Sequence, residues 1–321
     1  MSLVKIANKL PKLNGMVFSM TPVDPYNPLK LPPYTMRLKY KQGTTPTFEM
    51  GSGVLINPVN NIWDLTYENR SWFRTLQNHY DLIEVLGANA TNITGLNNTF
   101  NSCSSLSSIQ LFDTSNVTNL LGTFINCGSL KTIPLFDTSK VTNMCWSFQN
   151  CKSLTSLPLL DTSNVTDLSR SFIGCETLTT IPSFNTSSVI SMVETFRECH
   201  SLQTIPLLDT SNVDNMRNMF HNCYSLQYVP KFNTSATTAI QWMFSNCSSL
   251  SSIPLFNTTN VVDMTYTFNN CFNVKTGISA LYQQASTQTK PPSAHDGAFK
   301  NCGSYTTQGV AELSQIPSDW K

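Results

Sequence analysis

Charge is scarce in this chain. Only 12% of its 321 residues are Asp, Glu, Lys or Arg, about half the ~25% of an ordinary soluble domain. With 20 basic and 19 acidic residues the net charge is +1, so the basic footprint that phosphate-dominated nucleic-acid binding needs is missing. No window of about 18 apolar residues occurs, which excludes a bilayer-spanning helix. The start, MSLVKIANKLPKLNG, lacks the apolar core of about 7 to 15 residues that marks a secretory signal. The expectation is a chain that folds in a cytoplasm, or one whose export signal has been removed. No Cys-x-x-Cys pair occurs, and zinc sites are typically built from such pairs. Neither H-E-x-x-H nor G-x-S-x-G is present, and His79, His200, His221 and His295 show no metal-ligand spacing. These absences argue against an enzyme, and no cofactor or metal is expected.

Serine, threonine and asparagine take the place of charge and together make up a third of the chain. Cysteine explains why. Eight of the ten cysteines, Cys103, Cys127, Cys151, Cys175, Cys199, Cys223, Cys247 and Cys271, follow one another at a constant spacing of two dozen positions. A fixed period of this length is the signature of a repeat architecture. Phe100 to Phe268 stand three positions before these cysteines, leucines Leu106 to Leu250 three after, and prolines recur from Pro134 to Pro254. The unit is F-x-x-C-x-x-L-x-x-I-P-x-[FL]-[DN]-T-S-x-V-x-x-[ML]-x-x-x. Leu76, His79, Leu82, Val85, Ile93 and Leu96 keep the phase of a degenerate first unit. Phe299 and Cys302 come seven positions later than the period counted from Phe268 and Cys271 would place them, so the last full unit carries an insertion of that length.

One unit is about long enough for a strand and a helical turn. Val165, Leu168, Phe172 and Cys175 fall on one face of a short helix, with Asp161-Thr162-Ser163 as its N-cap. Leu154 to Leu160 reads as a short strand that stops at or before Pro158, which has no N–H for a ladder. Stacking about ten such layers at ~4.8 Å closes a continuous core. Residues 1–34 carry a proline-rich, extended tail. Residues 35–75 form an amino-terminal cap with a β-hairpin: Thr35–Tyr40 alternates as a strand, Gln42-Gly43 turns, and Gly51-Ser52-Gly53-Val54-Leu55-Ile56 leads into a second strand. Trp63, Trp72 and Phe73 are placed to cover the open end of the first repeat. Residues 76–298 are the repeats and 299–321 a carboxy-terminal cap. The fold class expected is an α/β leucine-rich-repeat solenoid of 24-residue units, with a short strand and a short helix or turn in each.

Phe-x-x-Cys-x-x-Leu-x-x-Ile-Pro followed by Asp-Thr-Ser-Asn-Val-Thr resembles the BspA-type bacterial leucine-rich repeats, in the branch found in surface lipoproteins and gut-bacteriophage proteins. The resemblance covers residues 76 to 271. The ending, Gly303 to Lys321 with Ile316-Pro317-Ser318-Asp319-Trp320, is similar to the carboxy-terminal cap of phage-encoded members. It implies surface binding without catalysis. Lipoproteins of the family carry a lipidated cysteine near the start, whereas the first cysteine here is Cys103. The expectation is therefore a virion fibre or decoration protein, assembled in the host cytoplasm. It would bind a cell-surface or mucosal glycan or protein through its repeats and other virion proteins through the tail, with no nucleic acid and no membrane insertion. A homo-oligomer is compatible with this. The alternatives are a bacterial surface adhesin and an intracellular interaction scaffold.

Within the repeats, Cys103, Cys127, Cys151, Cys175, Cys199, Cys223, Cys247 and Cys271 are expected to be buried thiols filling a small apolar slot. Disulfides and metal are the alternatives, and parallel side chains give disulfides poor geometry. Cys145 is out of phase and expected on the outer face of its helix. Asp113, Asp137, Asp161 and Asp209 also stack; since Asn185, Asn233 and Asn257 replace them, capping explains the row better than calcium. The sequons at Asn116, Asn164 and Asn233 follow from repetition and say nothing of glycosylation.

The candidate ligand-binding residues lie where units differ. One row reads Gly122, Trp146, Arg170, Glu194, Asn218, Trp242 and Tyr266, and such variability predicts exposure. A second, after the cysteine, reads Gly128, Lys152, Glu176, His200, Tyr224, Ser248 and Phe272. Aromatic anchors in either suit sugar or protein recognition, and ordinary surface variation is the competing explanation. A third surface is the polar pairs such as Thr155-Ser156 and Gln203-Thr204.

Overall fold

The computed structural model describes residues 31, 34–48, 52–66, 76–90 and 92–321. Most of the proline-rich segment, Gly51, Trp72 and Phe73 lie outside the described residues. Five strands form one sheet: β1 (Thr35–Tyr40), β2 (Ser52–Asn57), β3 (Ile62–Thr66), β4 (Leu82–Ala88) and β5 (Ser108–Ile109), in the order β2-β3-β1-β4-β5. β4 belongs to the degenerate first repeat and pairs in parallel with β5 of the next, Glu84 with Ser108 and Val85 with Ile109. Its other edge has no preceding layer, and antiparallel β1 fills it, with β3 and then β2 beyond. Burial on both faces makes β1 central: Met36, Leu38 and Tyr40 enter the core, and Arg37 is 3% exposed. Arg37 meets Asp64 through two bonds, Nε to Oδ1 at 2.7 Å and Nη2 to Oδ2 at 2.8 Å.

From Leu96 onward the layers stack on one another. Parallel bridges link Gly95, Asn119, Asn143, Asp167, Ser191, Asn215, Ala239, Asp263 and Ala294 in an unbroken series. Backbone amides alternate in direction. The N–H groups of Met144, Trp146, Phe148 and Asn150 donate to the carbonyls of Asp167, Ser169, Ser171 and Ile173 in the next layer, at 3.2, 3.1, 2.8 and 2.7 Å. Those of Ser147 and Cys151 donate three residues back, to Met144 and Phe148, both at 3.1 Å. The expected helix is therefore a stack of turns: among the described residues no helix lies in the repeats before residue 278. Val165, Leu168, Phe172 and Cys175 do share one buried side. The left-handed backbone at Arg170 (φ 60°) and Gly174 (φ 67°) reverses the chain where a helix would continue, and amides aimed along the stack cannot close α-helical i→i−4 bonds.

The expected strand at Leu154–Leu160 is likewise reduced to one bond, Thr155 N–H to Lys131 O at 3.1 Å. Pro158 then closes a three-residue turn, Leu160 N–H donating to Pro158 O at 2.9 Å, which bends the chain out of the ladder. Asp113, Asp137, Asp161 and Asp209 cap turns rather than helices, each Oδ1 accepting the N–H two residues on, from Ser115, Ser139, Ser163 and Ser211. Hydrogen bonds from Ser139, Ser163 and Ser211 hold Asp137, Asp161 and Asp209 below the usual carboxylate range. Whatever these bonds add is present above the unfolded carboxylate pKa and is lost on acidification.

The core is a set of axial rows. Phe100, Phe124, Phe148, Phe172, Phe196, Phe220, Phe244, Phe268 and Phe299 stack ring on ring at 5.3 to 5.8 Å. At the far end Trp320 lies on Phe299 at 6.2 Å and on His295 at 4.2 Å. The seven-residue insertion lies in the stretch that holds helix α1 (Ile278–Thr287). α1 packs against α2 (Thr307–Ser314), and Glu312 of α2 accepts the first N–H groups of α1, Ile278 at 2.8 Å and Ser279 at 3.2 Å.

The cysteine row runs beside the phenylalanines. All ten cysteines are free thiols, and Cys145 is half-buried while the other nine are buried. From Cys103 to Cys271 each Sγ donates to the carbonyl of the preceding layer's Phe position, Leu76 for Cys103, at 3.0 to 3.2 Å. The slot thus takes a small apolar side chain with one weak donor, which cysteine supplies. Burial pushes the Cys103 thiol up to about 12, and the others in the row are also raised. Cys145 stands in a turn, raised to about 11 by burial and by Asp167. Thiolate is the reactive form, so a thiol reagent at pH 8 is expected to modify Cys145 alone, and slowly; denaturant should release all ten. Two or more fast thiols in the native protein would contradict the row.

Candidate ligand-binding face

Each layer has two residues in the left-handed region. The first row is Asn98, Gly122, Trp146, Arg170, Glu194, Asn218, Trp242, Tyr266 and Gly297, at φ between 53° and 62°. The second is Ser102, Asn126, Asn150, Gly174, Glu198, Asn222, Asn246, Asn270 and Asn301, at 56° to 67°. Glycine and asparagine adopt this conformation most readily, and bulky residues pay a steric cost there. Trp146, Arg170, Glu194, Trp242 and Tyr266 hold it because their N–H groups bond the next layer, at 2.9 to 3.1 Å.

Side chains of the first row lie along the stack and cover one another. Arg170 has its guanidinium 5.6 Å from the centre of the Trp146 ring and its Nε 3.0 Å from Glu194 Oε2. Asn218 Nδ2 donates to Glu194 Oε1 at 3.5 Å. Trp242 and Tyr266 meet at 4.5 Å, and Lys300 Nζ lies 5.9 Å over Tyr266. The expected exposure is corrected accordingly: Glu194 and Asn218 are only 8% and 7% exposed, and Trp146, Arg170, Trp242 and Tyr266 are half-buried. Variability here reflects matched neighbours along the row as well as access to solvent.

Beside this row lie Arg197, within 3.8 Å of Glu194 and 3.1 Å of Glu198, and His221, edge-on to Trp242 at 5.8 Å. His221 is held below its ordinary pKa by burial and by the Arg197 cation, and its buried Nδ1 has no hydrogen-bond partner. The result is a band of aromatic faces, ion pairs and a neutral imidazole along the layers.

The second variable row is more open. Lys152 and Glu176 form an ion pair at 2.9 Å, His200 stacks on Tyr224 at 5.0 Å, and Phe272 stacks on Tyr305 at 4.6 Å. Lys152 and Tyr224 are exposed, Glu176, His200, Ser248 and Phe272 half-buried. Thr155, Ser156, Gln203 and Thr204 are exposed as a polar strip.

Two rows escaped the sequence reading. One is an asparagine ladder on the second left-handed row: Asn150, Asn246, Asn270 and Asn301 donate to the side chains of Asn126, Asn222, Asn246 and Asn270 at 2.8 to 2.9 Å. Asparagine or glycine directly before most of the cysteines was its signal. The other is a row of exposed leucines, which their apolar character concealed.

Among the described residues no group of three or more His, Cys, Asp or Glu side chains converges as a metal site, and no helix is long and apolar enough to cross a membrane. Residues 71–183 and 166–281 match the family model described as "Mycoplasma protein of unknown function, DUF285". No curated protein matches. Among solved structures the chain is similar to a leucine-rich repeat protein from Eubacterium ventriosum, at 15% identity over 68% of this chain and 85% of that chain, with a TM-score of 0.27.

Proposed function

The chain belongs to the DUF285 family of BspA-type leucine-rich repeats, and on that premise we propose that it is a non-catalytic binding protein. Its layers form a solenoid, with β1–β3 and the α1–α2 region as caps. The observation that carries this reading is the band from Trp146 to Tyr266, where successive layers present different aromatic and charged side chains on an otherwise uniform scaffold. Extended surfaces of this kind are what repeat proteins use for recognition. Its ligand is a cell-surface or mucosal glycan or protein, and its setting a bacteriophage virion, as fibre or decoration protein, with residues 1–34 docking it to the particle. The resemblance of the carboxy-terminal segment to phage-encoded members supports that setting. The second reading is a bacterial surface adhesin; the family model's description names Mycoplasma, which favours a bacterial setting and leaves adhesion to the binding test.

Binding of the purified chain to whole cells and to a glycan array tests the function. Replacing Trp146, Trp242 and Tyr266 with alanine is expected to lower binding at least about tenfold, and unchanged binding would refute the role of the band. Mass spectrometry of purified particles decides the setting, and absence of the chain from them would refute the virion reading.

A further inference from the structure

Among the described residues five leucines stand exposed outside the core, one in each of five layers. Leu111, Leu135, Leu159, Leu207 and Leu255 occupy the same place in their units and are 44 to 68% exposed. The turn closed by the bond from Phe136 N–H to Pro134 O, repeated at Pro158 and Pro254, pushes the leucine out. Layer packing does not demand leucine there, because exposed Ser183 and Lys231 fill the same place in layers of the same form. Water is a poor partner for such a ridge, and Tyr228, 59% exposed in the adjoining strip, widens it.

We propose that the ridge is the interface of a homodimer, the second copy running antiparallel about a two-fold axis at the Ser183 layer. A partner must offer apolar groups at the pitch of one layer along the whole ridge, and a second copy has that pitch by construction. Isologous pairing makes the patch its own complement. Of the seven positions Ser183 is the middle one, so the axis sets Leu111 against Leu255 and Leu159 against Leu207. It also brings Lys231 to Leu135, beside exposed Asp137 of the other copy, which turns the one cation in the row into half of an ion pair. Seven layers at ~4.8 Å span about 30 Å, and a strip six residues wide adds about 20 Å. The patch is therefore about 600 Å² per copy, at the lower end of the roughly 600 to 1,000 Å² per partner of a stable interface.

Sedimentation velocity on the full chain at about 50 µM, with Kd read from a dilution series, tests this. A species of twice 35.7 kDa is expected. The triple variant Leu135→Asn/Leu159→Asn/Leu207→Asn changes exposed residues only, and unchanged circular dichroism and thiol protection verify its fold; it should weaken the dimer at least about 100-fold. In mixed isotope-labelled copies, zero-length carboxyl–amine coupling should join Lys231 to Asp137 between chains, since within one chain they lie four layers, about 19 Å, apart. A monomer at about 50 µM, which would leave the ridge to another partner, overturns the proposal. So does a dimer untouched by the triple variant, or coupling between copies that omits the Lys231–Asp137 pair.

Discussion

Replacing Phe172 with alanine is expected to cost about 3 to 5 kcal/mol in unfolding free energy, read from denaturant unfolding. Its ring is fully buried between Phe148 and Phe196, each 5.5 Å away, and meets Phe184 at 6.2 Å. No neighbouring side chain can fall into the gap, because every layer is held at fixed spacing by backbone bonds from Phe172 to Thr195 at 3.0 Å and from Phe148 to Ser171 at 2.8 Å. The cavity therefore stays open and the full penalty applies. Phe172→Leu keeps most of the volume and should cost under about 1.5 kcal/mol. A loss below about 1 kcal/mol for the alanine variant would mean that the ring row carries little of the stability.

Arg37→Met is expected to destabilise the amino-terminal sheet by about 3 to 5 kcal/mol, because it leaves the Asp64 carboxylate buried without its two-bonded partner. The companion change Asp64→Leu, made together with Arg37→Met, should recover most of that loss, since an apolar pair needs no desolvation of charge. Thermal and denaturant unfolding of the two single variants and the double variant complete the cycle. Equal losses in the single and double variants would show that side-chain packing, rather than the unpaired charge, sets the cost.

The repeat was legible because core packing repeats: a phenylalanine slot and a thiol slot admit little else, so Phe172 and Cys175 keep their identity from layer to layer. The local backbone was not. Spacings of three and four positions between Val165, Leu168, Phe172 and Cys175 fit a helix, and a turn stack in which Arg170 and Gly174 reverse φ gives the same spacings. The asparagine or glycine before most of the cysteines carried the information, since those residues tolerate positive φ. Residue type misleads about exposure in both directions. Trp146 and Glu194 vary yet pack lengthwise on Arg170, whereas Leu135 and Leu159 look like core residues yet stand outside it, because the turns after Pro134 and Pro158 rotate them outward. Arg37 and Asp64 are distant in the sequence and meet only through the pairing of β1 with β3.

If each 24-residue layer is a complete unit bonded only to its neighbours, excising one whole layer should leave a folded protein. Deleting residues 152–175 joins Cys151 to Glu176 in register, and thermal unfolding with thiol counting reads the outcome. A single cooperative transition is expected, with the eight remaining buried thiols still inert and only Cys145 reactive. Deleting residues 152–163, half a layer, should instead break the register there and make the flanking Cys151 and Cys175 react as well, since each layer is bonded only to its neighbours. The same loss of protection in both deletions would contradict the stacked-layer account.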